Sequence, residues 1–336
     1  MSLPYKKAPL ISVLITCYKR KEFIINAIES VLCQTIDRSS YEIIVSINYR
    51  DLGIDNFLIE NHCKIIYDER SGIGLRLAGL ISAAESDILV FLEDDDYFKS
   101  NKLEEISNIF RNPDINYVNN SYLTIDYNGN YLSDSHNYLD GNAWMVSTPA
   151  VSFSILRKLL EKKAFFSMSN ISIRKSMILE YIGELSKIKV IPDFFSFVVA
   201  LQSKGNLLYY PISLTTWRFH SSTSVASGTR IEFLTKRKDF WLNVTSDLEL
   251  LSLITQNILL KKLIYCLYSE AITHDMVLGT PKANSLELII RVTKSLVLLR
   301  NKHIFIIFLL ALAVSIFPVK ASLAYFSYLL SKAPTI

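Results

Sequence analysis

The densest chemistry in the 336 residues lies in FLEDDDYF at 91–98, where Glu93, Asp94, Asp95 and Asp96 follow an apolar run directly. Adjacent carboxylates repel one another and lose solvation wherever they are partly buried, so such a cluster gains most from a cation. Alternate residues of an extended chain share a face, which would turn Glu93 and Asp95 towards one ion and Asp94 elsewhere. Hard oxygen ligands suit Mg2+ or Mn2+, ions that usually hold phosphate oxygens as well. A solvated acidic turn that favours the start of the following helix accounts for the same four residues.

The elements around this cluster read as strand–helix alternation. ISVLIT (11–16) is a buried strand, KEFIINAIESVLCQT (21–35) has helical spacing, and EIIVSI (42–47) and CKIIY (63–67) are strands. A helix from about Leu75 to Glu85 leads into the strand DILVFL (87–92). Continuous apolar strands alternating with helices mark a parallel sheet covered on both faces. Ligands on such sheets bind beyond the carboxyl ends of the strands, which is where the acids stand. SGIGLR (71–76) lacks the G-K-[ST] of a P-loop and reads as a turn that starts a helix. From Asn116 to about Val151 the pattern is poorer, suggesting short strands and a mobile loop that includes His136, Asp140 and Trp144. INYV, SNISIR and NLLYY are further strands, a helix runs from Pro192-Asp193 towards Gly205, and from about Gly228 onward only helices are expected.

Composition narrows the class. A 50% hydrophobic chain of this length buries a large core, and a net charge of +4 without a basic stripe argues against nucleic acid as partner. Mean hydropathy of +0.25 points to membrane contact. Cys17, Cys33, Cys63 and Cys266 are widely spaced, as expected for reduced thiols and not for a disulfide or zinc framework. MSLPYKKAPL has no apolar run after its lysines and does not read as a secretory signal.

Residues 10 to 225 resemble an inverting family 2 glycosyltransferase of the GT-A fold, of the archaeal or bacterial type with a C-terminal membrane-associated extension. Five segments carry the likeness in order: ISVLITCYKR, SGIGLRLAGLISAAESDILVFLEDDDYF, SNISIRKSMI, IPDFFSFVVALQSKGNLLYYP and TTWRFHSSTS. The resemblance implies an α/β fold with a Rossmann-like mixed sheet. It also implies that Thr16, Tyr18 and Arg20 line the nucleotide pocket and that Arg76 faces the diphosphate. Glu93 takes the family's first acidic position, near ribose or metal, beside Asp94; Asp95 takes the metal-ligand position and Asp96 the acid after it. Asp193 matches the catalytic base, while Arg218 and His220 match a segment that closes over the diphosphate, His220 as a metal ligand.

The departures from the pattern are specific. Glu93 stands where Asp is usual, and a register of Asp94-x-Asp96 is equally compatible with the acids. Asn48, in SINYR, replaces the aspartates that normally follow the second strand, so it would offer a nucleobase an amide; Leu77 stands where Asn often follows the Arg. On local sequence alone Asp193 is equally an N-cap and His220 equally a structural histidine.

These readings together divide the chain into a GT-A domain at 1–225, a helical region at 226–300 and apolar membrane-associated helices at 301–336. The run IFIIFLLALAVSIF (304–317) would extend about 21 Å as a helix, short of the ~30 Å hydrocarbon core, so it fits a dip into one leaflet better than a full span. Arg291, Lys294, Arg300 and Lys302 just before it suit an anionic cytoplasmic surface; a buried core helix or an oligomer contact is the soluble alternative. The expectation is therefore metal-dependent transfer, with inversion, from a UDP-, GDP- or dTDP-sugar to an acceptor sugar or lipid-linked acceptor at the cytoplasmic face of the cell membrane. The alternatives are a nucleotidyltransferase, which would need a glycine-rich loop that CYKRKEF does not supply, and an inactive membrane-tethered sugar-nucleotide-binding protein.

Overall fold

The computed structural model describes residues 9–70, 72–132, 142–219, 230–277 and 324. The chain divides into two compact units, Met1–Ile188 with Pro192–Phe219, and Lys189–Ile191 with His220–Ile336.

The first unit is built on β1 (Ile11–Cys17), whose seven residues are all buried. It is flanked in parallel by β2 (Tyr41–Ile47) and β4 (Ile88–Glu93), with the shorter β3 (Lys64–Tyr67) parallel to β2. Between them run α1 (Ile24–Leu32), α2 (Leu52–Glu60) and α3 (Ile73–Ala83). One face of α1 places Ile24, Ala27, Ile28 and Val31 in the same core as Val13, Ile15, Val45 and Val90. That spacing is the helical apolar stripe, and each fully buried aliphatic contributes about 1.5–3 kcal/mol. The helix α3 packs on β1 and β2. The expected alternation lacked α2 because that helix buries only Ile54 and Leu58; Asp51 caps it through the Gly53 and Ile54 amides.

Beyond β4 the sheet ceases to be purely parallel. Its order is β3-β2-β1-β4-β8-β6-β9-β5, adding β5 (Tyr97–Phe98), β6 (Ile115–Ile125), β8 (Ile171–Arg174) and β9 (Asn206–Arg218), while β7 (Trp144–Ser147) pairs with β9. β8 runs antiparallel to both β4 and β6. The mixed sheet agrees with the fold class expected from the resemblance and corrects the all-parallel reading of the apolar pattern. The pattern-poor stretch after Asn116 is another correction, because it holds β6, an eleven-residue strand. Buried Asn119, Asn120 and Ser121 interrupt its hydrophobic period, and they are tolerated where they find partners, as when Asn120 donates to Thr215 Oγ1 on β9 at 2.9 Å.

The remaining helices of this unit are α4 (Lys102–Ile109), α5 (Phe153–Glu161), α6 (Lys175–Leu179), α7 (Ile182–Leu185) and α8 (Pro192–Gln202). Gly74, in the first turn of α3, lies so close to the chain at 185–188 that a Cβ there would stand 2.0 Å from the Leu185 carbonyl oxygen. Its amide bonds the Ile188 carbonyl at 3.1 Å, which seats the helix start from which Arg76 projects.

In the second unit α9 (Arg230–Ile254) and α10 (Ile258–Val277) pack on one another, as expected for the helical stretch. The Asp247 carboxylate accepts the consecutive amides of Lys189, Val190 and Ile191 at 2.9, 2.8 and 3.2 Å. Trp241 and His274 stack with centroids 3.9 Å apart. Among the described residues no helix is long and apolar enough to cross a membrane, and the run at 304–317 lies outside them.

Candidate active site

Strand register assembles the site. Thr16 stands level with Ser46 on one side and Glu93 on the other, so the carboxyl ends of β1, β2 and β4 open onto one place. The chain leaves β1 through Tyr18 and Lys19. Lys19 adopts φ 63°, and its amide donates to Asn48 Oδ1 at 2.7 Å. Asn48 thereby ties the turn after β2 to the turn after β1.

The acids do not continue the strand. Asp96 donates its amide to the Glu93 carbonyl at 3.2 Å, closing a turn in which Asp94 and Asp96 are buried and Glu93 and Asp95 partly exposed. The separation of faces expected from extended chain is therefore present but made by a turn. Arg20 bridges two of the acids, with Nη1 2.6 Å from Asp95 Oδ2 and Nη2 on Asp94 Oδ1. Asp96 Oδ1 accepts the Arg218 amide at 2.9 Å.

Burial pushes the Glu93 carboxyl up to about 8, and the charges of Asp95 and Asp193 push the same way. Burial raises Asp94 to about 6 against the pull of Arg20, and lifts Asp96 well above the ordinary carboxylate range. Below them Lys102 is completely buried, its Nζ on the Ser169 carbonyl at 2.6 Å and Thr215 Oγ1 at 3.0 Å; burial holds that amine well below its usual value.

Arg76 extends towards the same strand ends. Its guanidinium carbon lies 4.3 Å from the centroid of the Tyr18 ring, the side chain is 6% exposed, and Nε and Nη1 have no hydrogen-bond partner. Burial lowers its pKa, opposed first by Tyr18 and then by Asp68 and Asp94. Two unanswered donors on a buried cation are costly, and a phosphate oxygen pair would satisfy both. Asp68, which sequence reasoning missed, is buried at the end of β3 and binds Arg70 through both carboxylate oxygens at 2.8 Å. Its only signal was its place just after the strand KIIY.

Asp193 lies in the first turn of α8, which begins at Pro192, so it is not the residue that caps the helix. Proline suits that first position, and a carboxylate beside it meets the positive end of the helix dipole. Asp193 Oδ1 accepts the Phe194 amide at 2.8 Å. Burial raises its pKa to about 6, while the hydrogen bond from the Phe194 amide opposes the rise.

Ser167 is the second residue that sequence reasoning missed. Its hydroxyl donates to Glu93 Oε2 at 3.1 Å from a backbone at φ 60°. Ser169 Oγ accepts the Glu93 amide at 3.0 Å. The SMSN turn before β8 thus holds Glu93 at both its carboxylate and its amide, and the paired serines were its visible trace.

Arg218 is 8% exposed and committed to backbone. Nε donates to the Asp95 carbonyl at 3.0 Å, Nη1 to Asp126 and Tyr127 carbonyls at 3.3 and 2.8 Å, and its guanidinium lies over Phe23 at 4.3 Å. It braces the acid turn from below. His220 lies outside the described residues, as do His136 and Asp140.

The arrangement offers an unpartnered guanidinium on an aromatic face, four carboxylates with one arginine among them, and a separate carboxylate whose raised pKa fits a base. Among the described residues no three His, Cys, Asp or Glu side chains converge tightly enough to hold an ion. The donor set is nonetheless of the right chemistry: hard oxygens, pKa values lifted by burial and then by neighbouring acids, and unpartnered Oδ2 atoms on Asp94 and Asp96. Asp95 and Glu93 are the members of the set that reach solvent.

A mixed sheet with this site at its strand ends defines the GT-A class of glycosyltransferase. Residues 12–182, half the chain, match the family described as Glycosyl transferase family 2, and the chain belongs to that family. This membership decides for a glycosyltransferase over a nucleotidyltransferase. Comparison with curated protein sequences gives no match. Among solved structures the chain is similar to Staphylococcus aureus TarS 1–349, at 12% identity over 93% of this chain and 88% of that one, with TM-score 0.56. TarS 1–349 in complex with UDP-GlcNAc matches at 11% identity over 93% and 89%, TM-score 0.55. The complex of TarS 1–349 with UDP matches at 12% over 86% and 89%, TM-score 0.52. At such identities the likeness is one of fold.

Proposed function

We propose that this glycosyltransferase takes a nucleoside diphosphate sugar as donor and inverts the anomeric carbon in a single displacement with Asp193 as base. The observation that carries the reading is Arg76, buried against Tyr18 with Nε and Nη1 unanswered at the strand ends where the acid turn also stands. Such a group is suited to a diphosphate, and Tyr18, on whose ring it lies, together with Thr16 and Asn48 would line the nucleotide pocket. Solved relatives in fold bind UDP and UDP-GlcNAc, which favours UDP as the first donor to test.

In the reaction an acceptor hydroxyl gives its proton to Asp193 as its oxygen bonds to the anomeric carbon, and the bond from that carbon to the phosphate oxygen breaks with its electrons. Arg76 neutralises the charge that accumulates on the departing diphosphate. Asp95, with Glu93 beside it, would hold Mg2+ or Mn2+, which when bound supplies Lewis-acid stabilisation of the same phosphates. Arg20 fixes Asp94 and Asp95 in place, and Ser167 holds the Glu93 carboxylate.

An acceptor held at the cytoplasmic face of the membrane, sugar or lipid-linked, agrees with the apolar and basic character of the C-terminal segment. Removing residues from about 284 onward is expected to release the protein from membranes. Retention in the membrane fraction after that deletion would overturn the anchoring.

The catalytic reading is tested by calorimetry with MnCl2 and UDP, GDP and dTDP, followed by turnover of the corresponding sugars. Asp193→Asn is expected to bind nucleotide as the native enzyme does and to lose turnover by about 10²–10⁴-fold. Proton NMR of the product reads inversion directly. Silence of all three nucleotides in calorimetry, or a retained anomeric configuration, would overturn the proposal.

A further inference from the structure

A cluster of aromatic rings stands one residue along the chain from groups that hold the site carboxylates, and the chemistry above does not use it. Trp217 and Phe166 are both half-buried, their centroids 5.3 Å apart and their planes at 72°. Tyr122, buried on β6, closes a triangle at 5.0 Å from Phe166 and 6.2 Å from Trp217. Edge-to-face packing of this kind fixes ring orientation and costs little to hold.

Covalent neighbours locate the cluster. Phe166 immediately precedes Ser167, whose hydroxyl serves Glu93, and follows Phe165, which packs edge-on against Phe194, the residue after Asp193, with centroids 5.4 Å apart. Trp217 immediately precedes Arg218, whose amide holds the Asp96 carboxylate and whose Nε holds the Asp95 backbone carbonyl. Two separate chain segments therefore each bring a partly exposed ring to within one residue of a group that holds a site carboxylate, Glu93 for one and Asp96 for the other. A core built only for stability would bury these rings fully; binding sites are where partly exposed, rigidly held aromatics stand beside a few polar groups.

We propose that the open surfaces of Trp217 and Phe166 form the acceptor subsite, and that the acceptor end they receive is a pyranoside. The inference rests on Asp193 being the base. An attacking hydroxyl must come within hydrogen-bond reach of that carboxylate, so the group carrying it must lie beside Asp193, where Phe194 packs on Phe165, the residue before Phe166. That surface is aromatic on its face and polar along its carboxylate edge. A pyranose has the matching division, with axial C–H groups on one face and hydroxyls around the rim. An alkyl chain would match the rings but leave the polar edge unanswered. Rigid rings that fix the sugar's plane supply the orientation that in-line attack demands.

Saturation-transfer NMR on the full-length protein with UDP and MnCl2 tests this, using the methyl pyranosides of glucose, galactose and N-acetylglucosamine, with n-decyl phosphate as the aliphatic competitor. Transfer to the axial protons of at least one pyranoside is expected, and Trp217→Ala should weaken that binding about tenfold or more. Trp217→Phe, which keeps an aromatic face and guards against simple misfolding, should retain most of it. UDP affinity by calorimetry should be the same in all three proteins. The subsite proposal is overturned if UDP binds but no pyranoside does, if Trp217→Ala binds the pyranoside as the native enzyme does, or if decyl phosphate displaces it. A silent UDP titration of the native protein would instead overturn the donor reading on which the subsite rests.

Discussion

Ser167 donates its hydroxyl to Glu93 Oε2 at 3.1 Å from a backbone held at φ 60°. A non-glycine residue in the left-handed region costs roughly 1 kcal/mol or more, and such strain persists where the surroundings over-determine it. Here the surroundings are the Glu93 carboxylate, which accepts the Ser167 hydroxyl, and the Ser169 amide, which donates to that hydroxyl at 3.2 Å. Ser167→Gly and Ser167→Ala both remove the hydroxyl, but only glycine relieves the backbone. The glycine variant is expected to be more stable than the alanine variant by about 1 kcal/mol in urea melts, with turnover reduced in both. Equal stability of the two would show that the φ value carries no cost.

The acid limb of the pH profile should belong to Asp193. Its carboxyl is raised to about 6 by burial, so it becomes a competent base only as pH rises through that value. A plot of kcat/KM against pH is expected to climb with an inflection near 6 and to flatten above it. An inflection near 4, the ordinary carboxylate value, would mean that another group accepts the proton.

Stability should run the opposite way. Glu93 at about 8 and Asp94 at about 6 hold protons in the folded protein that the unfolded chain releases near 4. The folded state thus binds more protons between these values, and the advantage, complete below pH ~4, is lost as pH rises through 6 and 8. The melting temperature is expected to fall by a few degrees from pH 5 to pH 8.5. Glu93→Gln should flatten the slope, and MnCl2 should restore stability at the alkaline end. A melting temperature indifferent to both would argue that the four acids do not share a charge problem.

Arg76 separates charge from shape. Lysine keeps the charge but loses the planar stack on Tyr18 and the two unanswered donors. Arg76→Lys is expected to weaken binding of a nucleoside diphosphate by about tenfold or more, while affinity for the free nucleoside stays the same. Tyr18→Phe, which preserves the ring, should be close to native in the same titration. Equal losses for nucleoside and nucleoside diphosphate would place Arg76 on the base side of the site.

Much of this protein was present in its order of residue types. ISVLIT, EIIVSI and DILVFL each announce a buried parallel strand because continuous apolar runs have only one stable place, and FLEDDDYF puts acids at the strand end where ligands bind. The motif order sufficed to indicate the family. Sequence could not say that β8 enters antiparallel, that Asn119, Asn120 and Ser121 are inside a strand, or that Asp94 is held by Arg20 some seventy residues away. Those depend on which partners a polar group meets after folding, and the chain's local pattern records only whether a group is polar. Ser167 and Lys102 show the same limit: a serine in a short turn and a lysine starting a helix look solvated until the packed structure sets one against the Glu93 carboxylate and buries the other completely.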